Sequence, residues 1–174
     1  MARMFGTDGV RGIANVDITN ELAYRLGQAA VHFLGTTIAL GRDTRLSGEM
    51  LQSAIASGIM SVGGTVLTLD IIPTPGVALL TRTLSADGGI VISASHNPPE
   101  YNGIKFFDRN GFKLPDNIED EIQDFVEAGG FEAYCAQNKT SMPQGDAVGM
   151  TVPVEDACER YIAQIGRASC RERV

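Results

Sequence analysis

No apolar run in this 174-residue chain approaches the roughly 18 residues a membrane span requires, so a membrane-spanning role is not expected. The amino terminus carries Arg3 with no apolar segment behind it, and no secretory signal is visible. Positive charge is scarce. Fourteen Lys and Arg face 21 Asp and Glu, and the net charge of −7 disfavours nonspecific binding to nucleic acid or an anionic membrane surface. Cys135, Cys158 and Cys170 are odd in number and lack metal-ligand spacing; free thiols in a reducing cytoplasm are the expectation. The Gly-x-Ser-x-Gly elbow of serine hydrolases is absent, and Gly6, Gly9 and Gly12 do not form a Gly-x-Gly-x-x-Gly nucleotide fingerprint. No internal repeat is evident.

What the chain does have is a 44% apolar content, enough for a real core, in a length of one domain and a little more at about 150 residues per domain. Its most informative segment is Gly89-Ile-Val-Ile-Ser-Ala-Ser-His-Asn-Pro98. The apolar, β-branched run reads as a buried strand, and the switch to Ser, His and Asn places polar groups at its carboxyl end, where ligands bind in open α/β sheets. Pro98 keeps Asn97 out of the α region, so the turn stays extended. Ser93 and Ser95 lie two apart and would share a face, and spacing does not choose between them. A Ser beside a His is not a hydrolase triad, since adjacent side chains rarely bring their reactive atoms together.

The rest of the chain alternates strand and helix. Thr19 is placed to cap a helix to about Leu34, with Leu22, Leu26, Ala29 and Phe33 as its apolar stripe and His32 on the flank as a structural residue. Strands are expected at Thr37-Ile-Ala-Leu and 65–72, with helices opened by Ser47 and by Thr74-Pro75. This order implies crossover connections and an α/β fold with a mixed, mostly parallel sheet between helices. One antiparallel pair is expected, between the serine strand and Gly103-Ile-Lys-Phe-Phe107. A helix from about 115 to 128 buries Ile118, Ile122, Phe125 and Val126, and its acids, Glu119 among them, read as a solvated face. Arg42, Asp43 and Arg45 read as a structural ion-pair cluster. Residues 137–153 look like a domain-edge linker. The organisation expected is a first domain over 1–150, the start of a second over 151–165, and a non-native or disordered tail over 166–174.

Ser-Ala-Ser-His-Asn-Pro at 93–98, followed by Asn-Gly-Ile-Lys-Phe at 102–106, resembles the phosphoserine loop of the α-D-phosphohexomutases. Met4-Phe-Gly-Thr-Asp-Gly-Val-Arg-Gly12 is similar to the opening motif of that family's phosphoglucosamine mutase branch, and Gly41-Arg-Asp-Thr-Arg-Leu-Ser-Gly48 is a third family segment in the same order. The resemblance covers roughly residues 2–165 and implies domain 1 of a longer enzyme.

The resemblance implies that Ser95, rather than Ser93, carries a phosphoryl group and passes it to a sugar monophosphate, interconverting glucosamine 6-phosphate and glucosamine 1-phosphate through a bisphosphate. It implies Arg11 against that phosphate, Lys105 as general acid/base and His96 near the reacting group; Asn97 is expected to support the loop through side-chain-to-backbone bonds. Mg2+ is the implied cofactor. It would take a phosphate oxygen on Ser95 and carboxylates from an Asp-Gly-Asp-Gly-Asp loop that these 174 residues do not contain. The fragment alone is therefore expected to be inactive. The expected partner is an amino-sugar phosphate, in the cytoplasm, and a homodimer is left open. A phosphomannomutase or phosphoglucomutase, and a noncatalytic folding module, are the alternatives.

Overall fold

The computed structural model describes residues 3–171, with side chains described to residue 166. In chain order the elements are β1 (Phe5–Gly6), β2 (Gly9–Ile13), α1 (Asn20–Leu34), β3 (Thr37–Arg42), α2 (Leu46–Ser61), β4 (Thr65–Ile71), α3 (Thr74–Thr83), β5 (Gly88–Ile92), β6 (Tyr101–Asp108), α4 (Asp116–Glu127), α5 (Gly130–Asn138), β7 (Thr151–Pro153) and α6 (Ala157–Arg171). The strands form one sheet in the order β1-β2-β6-β5-β3-β4-β7.

The sheet is mixed, as the alternation of elements implies, but less parallel than expected. β3 pairs in parallel with β4 and β5, and β4 with β7. The β1–β2, β2–β6 and β5–β6 pairs are antiparallel. The two unforeseen antiparallel pairs come from the amino-terminal glycine motif, which is a hairpin added to the sheet edge rather than a free loop.

Side-chain alternation along the strands sorts the core into two layers. Ile38, Leu40, Ile90, Ile92, Ile104 and Phe106 face α1, α2 and α4. Ala39, Leu69 and Val91 face α3 and the start of α6. Most of these are wholly buried, and each such large aliphatic side chain stabilises the fold by about 1.5–3 kcal/mol relative to exposure. Thr19 caps α1 as expected, its Oγ1 accepting from the Leu22 N–H at 3.2 Å. Ser47 does not cap α2; its hydroxyl accepts instead from Nδ2 of the buried Asn102 at 2.9 Å, tying α2 to β6.

Two further readings change. α5 occupies a stretch with no apolar stripe to announce it. Glu119 is not on a solvated face: it is buried, held by Lys113 at 2.8 Å and Arg3 at 3.7 Å. Residues 151–153 add a strand beside β4, and Ala157 of α6 is buried in the α3-side layer, so the segment following residue 150 continues the same sheet. The α6 backbone is helical through Arg171, which takes in the start of the stretch expected to be a non-native or disordered tail; 172–174 lie outside the described residues. Cys135 is buried and Cys158 exposed, both free; the Cys170 side chain lies outside the described residues. Among the described residues no helix is long and apolar enough to cross a membrane.

Candidate active site

β5 delivers the serine loop from the middle of the sheet. Val91 and Ile92 are fully buried, and Ser93 is still inside, its N–H donating to the Gly103 carbonyl at 2.9 Å. The Ser93 hydroxyl accepts from the Ser95 N–H at 3.1 Å and so closes the turn with its own side chain. Ser95 then adopts a left-handed backbone, φ 57°, which costs a non-glycine residue of order 1 kcal/mol or more. This distinguishes the two serines that spacing left equivalent. Ser93 is buried with its hydroxyl committed to the turn, whereas Ser95 is exposed at the turn's crest.

The same left-handed residue brings neighbours together. Ser95 Oγ lies 3.3 Å from His96 Nδ1, a contact that an extended strand would not allow and that was not expected from adjacency. Asn97 supports the loop through its backbone rather than its side chain: its N–H donates to the Ala94 carbonyl at 3.1 Å.

The principal brace is Arg45, read from the sequence only as part of an ion-pair cluster. Its Nε donates to Asp43 at 3.2 Å, which fixes the guanidinium plane. Nη1 then donates to the carbonyls of Pro98 and Tyr101, at 2.7 and 3.0 Å, and Nη2 to those of Ser95 and Asn97, at 3.1 and 2.8 Å. One side chain from the start of α2 thus holds four carbonyls of the loop. Arg42, by contrast, pairs with Asp70 at 3.1 Å, away from it.

Arg11 on β2 and Lys105 on β6 share a sheet face, because Arg11 is in register with Gly103 and residues 103 and 105 lie on one side of the strand. Gly103 makes room for the arginine. A Cβ there would sit 2.7 Å from the Ser93 carbonyl oxygen and 3.2 Å from Arg11 Cγ, so the Arg11 stem crosses β6 beside the root of the serine loop. Between the two cations stands Asp8, at the tip of the β1–β2 hairpin. One oxygen pairs with Arg11 Nη2 at 3.1 Å and the other accepts from Lys105 Nζ at 3.3 Å. The Lys105 hydrogen bond and charge hold the Asp8 carboxyl below the usual range, with smaller contributions from Arg11 and His96. Asp8 was not among the expected site residues. The available signal was an acid three residues before Arg11 in a glycine-spaced loop; its proximity to Lys105 follows only from the strand pairing.

These side chains suit an anion and not a metal. Among the described residues no three His, Cys, Asp or Glu converge on a point, and both Asp8 oxygens are already engaged by cations. The chain's own groups therefore do not make a Mg2+ site.

Residues 2–133 match the family model described as phosphoglucomutase/phosphomannomutase, α/β/α domain I. Among curated relatives, the phosphoglucosamine mutase of Clostridium acetobutylicum is 55% identical over 167 residues, covering 93% of this chain and 36% of the relative. That of Clostridium tetani is 53% identical with the same coverage. The chain thus spans about a third of the length of these relatives. The crystal structure of a phosphoglucomutase/phosphomannomutase family protein from Burkholderia thailandensis superposes with a TM-score of 0.71 over 94% of this chain and 35% of its own, at 24% identity, which speaks to the fold. With the serine turn, the hairpin motif and strands β1 to β6 all falling within the matched span, the chain belongs to the phosphoglucomutase/phosphomannomutase family and carries its domain I.

Proposed function

We propose that this chain is the phosphoserine-bearing part of a phosphoglucosamine mutase, with Ser95 as the residue that gives and recovers the phosphoryl group. The observation that carries this reading is the Ser95 turn itself. A strained, exposed serine is clamped by Arg45 at a strand end, beside a histidine and a sheet face that presents Arg11 and Lys105.

Phosphoryl transfer depends on positioning and on charge neutralisation more than on covalent help from the protein. In the forward step the bond from Ser95 Oγ to phosphorus breaks and a bond from a sugar hydroxyl oxygen to phosphorus forms. The hydroxyl proton leaves to a base, and Ser95 Oγ gains a proton. His96 Nδ1, 3.3 Å away, is placed to exchange the proton on Oγ. Arg11 is suited to grip phosphate oxygens in pairs, and Lys105 is the general acid/base toward the sugar hydroxyl. The second transfer reverses these roles on the other end of the bisphosphate. Ser95, once phosphorylated, would be this chain's one ligand to the Mg2+ required in this reading, which would supply further charge neutralisation at the phosphoryl group. The substrate is an amino-sugar phosphate, the setting cytoplasmic, and the 174 residues alone are inactive.

The test is made on the protein at the length of its relatives. Phosphosite mapping should find phosphate on Ser95, and glucosamine 6-phosphate should turn over faster than mannose 6-phosphate or glucose 6-phosphate. A preference for mannose 6-phosphate would replace the branch with phosphomannomutase. Phosphate on a residue other than Ser95, or full turnover by Ser95→Ala, would sink the assignment. Turnover by the 174-residue chain alone would refute its inactivity.

A further inference from the structure

We propose that Asp8 is an internal counter-anion: it occupies Arg11 and Lys105 while Ser95 carries no phosphate and yields them to the phosphoryl group, which makes it a positioning residue that sets how tightly the site holds phosphate. This deepens the phosphoserine reading and rests on it.

Three observations lead there. The carboxylate splits its oxygens between two cations on two different strands, as a bridging phosphate would. The engagement leaves the arginine unsaturated: Arg11 Nε is buried and has no hydrogen-bond partner among the described residues, so the guanidinium retains a donor that Asp8 does not use. Leaving a buried donor unpaired is costly, and an anion with three acceptor oxygens can satisfy it while also replacing Asp8. Asp8 is also exposed and lightly held. It sits in the two-residue turn between the paired glycines Gly6 and Gly9, with its side chain 53% exposed, and among the described residues only the Arg11 ion pair and the Lys105 hydrogen bond hold its carboxylate.

The space around Asp8 agrees. It lines two concavities at once: a groove of about 310 Å³ shared with Arg3 and Arg11, and a cavity of about 180 Å³ shared with Lys105, Lys113 and Glu119. A swing of one side chain toward either opens the position between Arg11 and Lys105. Phosphate, at roughly −1.5 to −2, competes favourably against a single carboxylate charge for the same two cations.

The probe is inorganic phosphate added to the unphosphorylated chain, with binding followed by the Arg11 Nε–H resonance and by titration calorimetry. Asp8→Asn should bind phosphate about five- to tenfold more tightly than the parent, the scale of one or two exposed ion pairs released. Asp8→Glu should bind like the parent, and Arg11→Ala should lose binding in either background. A merely structural Asp8 predicts the reverse: with its cations no longer held in place, Asp8→Asn would bind phosphate equally or more weakly. That result overturns the proposal, as does phosphate binding indifferent to Arg11→Ala. If Asp8→Asn fails to fold, Asp8→Ser carries the same expectation with a smaller side chain. The two failures are distinguishable: absence of phosphate on Ser95 in the protein at the length of its relatives would sink the phosphoserine reading, whereas unchanged or weaker phosphate binding by Asp8→Asn would sink the competition between Asp8 and phosphate for Arg11 and Lys105.

Discussion

Removing the Arg45 guanidinium should loosen the serine loop while leaving the sheet intact. In Arg45→Met the stem survives, but the guanidinium bonds to four carbonyls and to Asp43 are lost. The four bonds do not count equally. Those to Ser95 and Pro98 are exposed, and water can replace the guanidinium there at little cost. Those to Asn97 and Tyr101 are partly buried, and a charge-assisted bond of that kind contributes about 1.5 kcal/mol. The gross loss is then about 3 kcal/mol. Part is recovered, because a loop released from Arg45 can relax the left-handed Ser95, returning about 1 kcal/mol. The net destabilisation expected is about 2 kcal/mol, read as a fall in the urea midpoint at unchanged m-value. Arg45→Lys should recover less than half, since an ammonium cannot reproduce the planar fork. Arg42→Met is the control: one bond to an exposed carboxylate is lost and the cost should stay below about 1 kcal/mol. In the longer protein, turnover by Arg45→Met should fall on the order of a hundredfold, the usual scale for a reacting group displaced by about an ångström. Equal stabilities for Arg45→Met and Arg42→Met, or an Arg45→Met protein with parental turnover, would refute the brace.

Three further outcomes are expected. Ser95→Gly should raise stability by about 0.5–1 kcal/mol in urea, because glycine takes the left-handed backbone without penalty, while abolishing phosphorylation at that site; a destabilised variant would contradict the strain. Gly103→Ala should cost about 2 kcal/mol and misplace Arg11, because the new methyl meets the Ser93 carbonyl oxygen; a chain that tolerated it with parental stability would show that the strand has slack there. His32, stacked on Phe125 at 4.9 Å with Phe33 and Tyr134 edge-on, has its pKa pushed below 6.5 by desolvation. The folded state then binds fewer protons than the unfolded. The His32 contribution is complete above pH 6.5 and is lost as pH falls through that value toward the folded-state pKa. The stability difference between the parent and His32→Phe should therefore vary with pH across that window, and a flat difference would rule the contribution out.

The elements that could be read from the sequence are those whose signal is local. Thr19 opens α1, the apolar stripe of α4 includes Ile122 and Val126, and the β-branched run before Ser93 is a central strand with every residue buried. Each of these follows from a period of 2 or 3.6, or from a cap. α5 lacks a stripe, and the two-residue β1 is too short to show alternation, so neither period reveals them. Glu119 looked solvated because it stands among acids, yet Arg3 and Lys113 converge on it from elsewhere in the chain.

The site is organised by contacts that no periodicity can carry. Arg45 reaches the Ser95 carbonyl across 50 residues, and Lys105 reaches Asp8 across 97. Both depend on strand register: β5 must end beside the start of α2, and the hairpin must pair with β6 so that Arg11 lies opposite Gly103. The resemblance to a family could therefore assign roles to Ser95, Arg11 and Lys105, while of the residues that hold them Arg45 reads only as part of an ion-pair cluster and Asp8 receives no role. Their importance is geometric. An arginine that binds four carbonyls fixes where the serine stands, and an aspartate between two cations fixes where those cations wait. A search for such residues in related sequences should start from the strand register and ask which charged side chains the sheet brings to the serine turn.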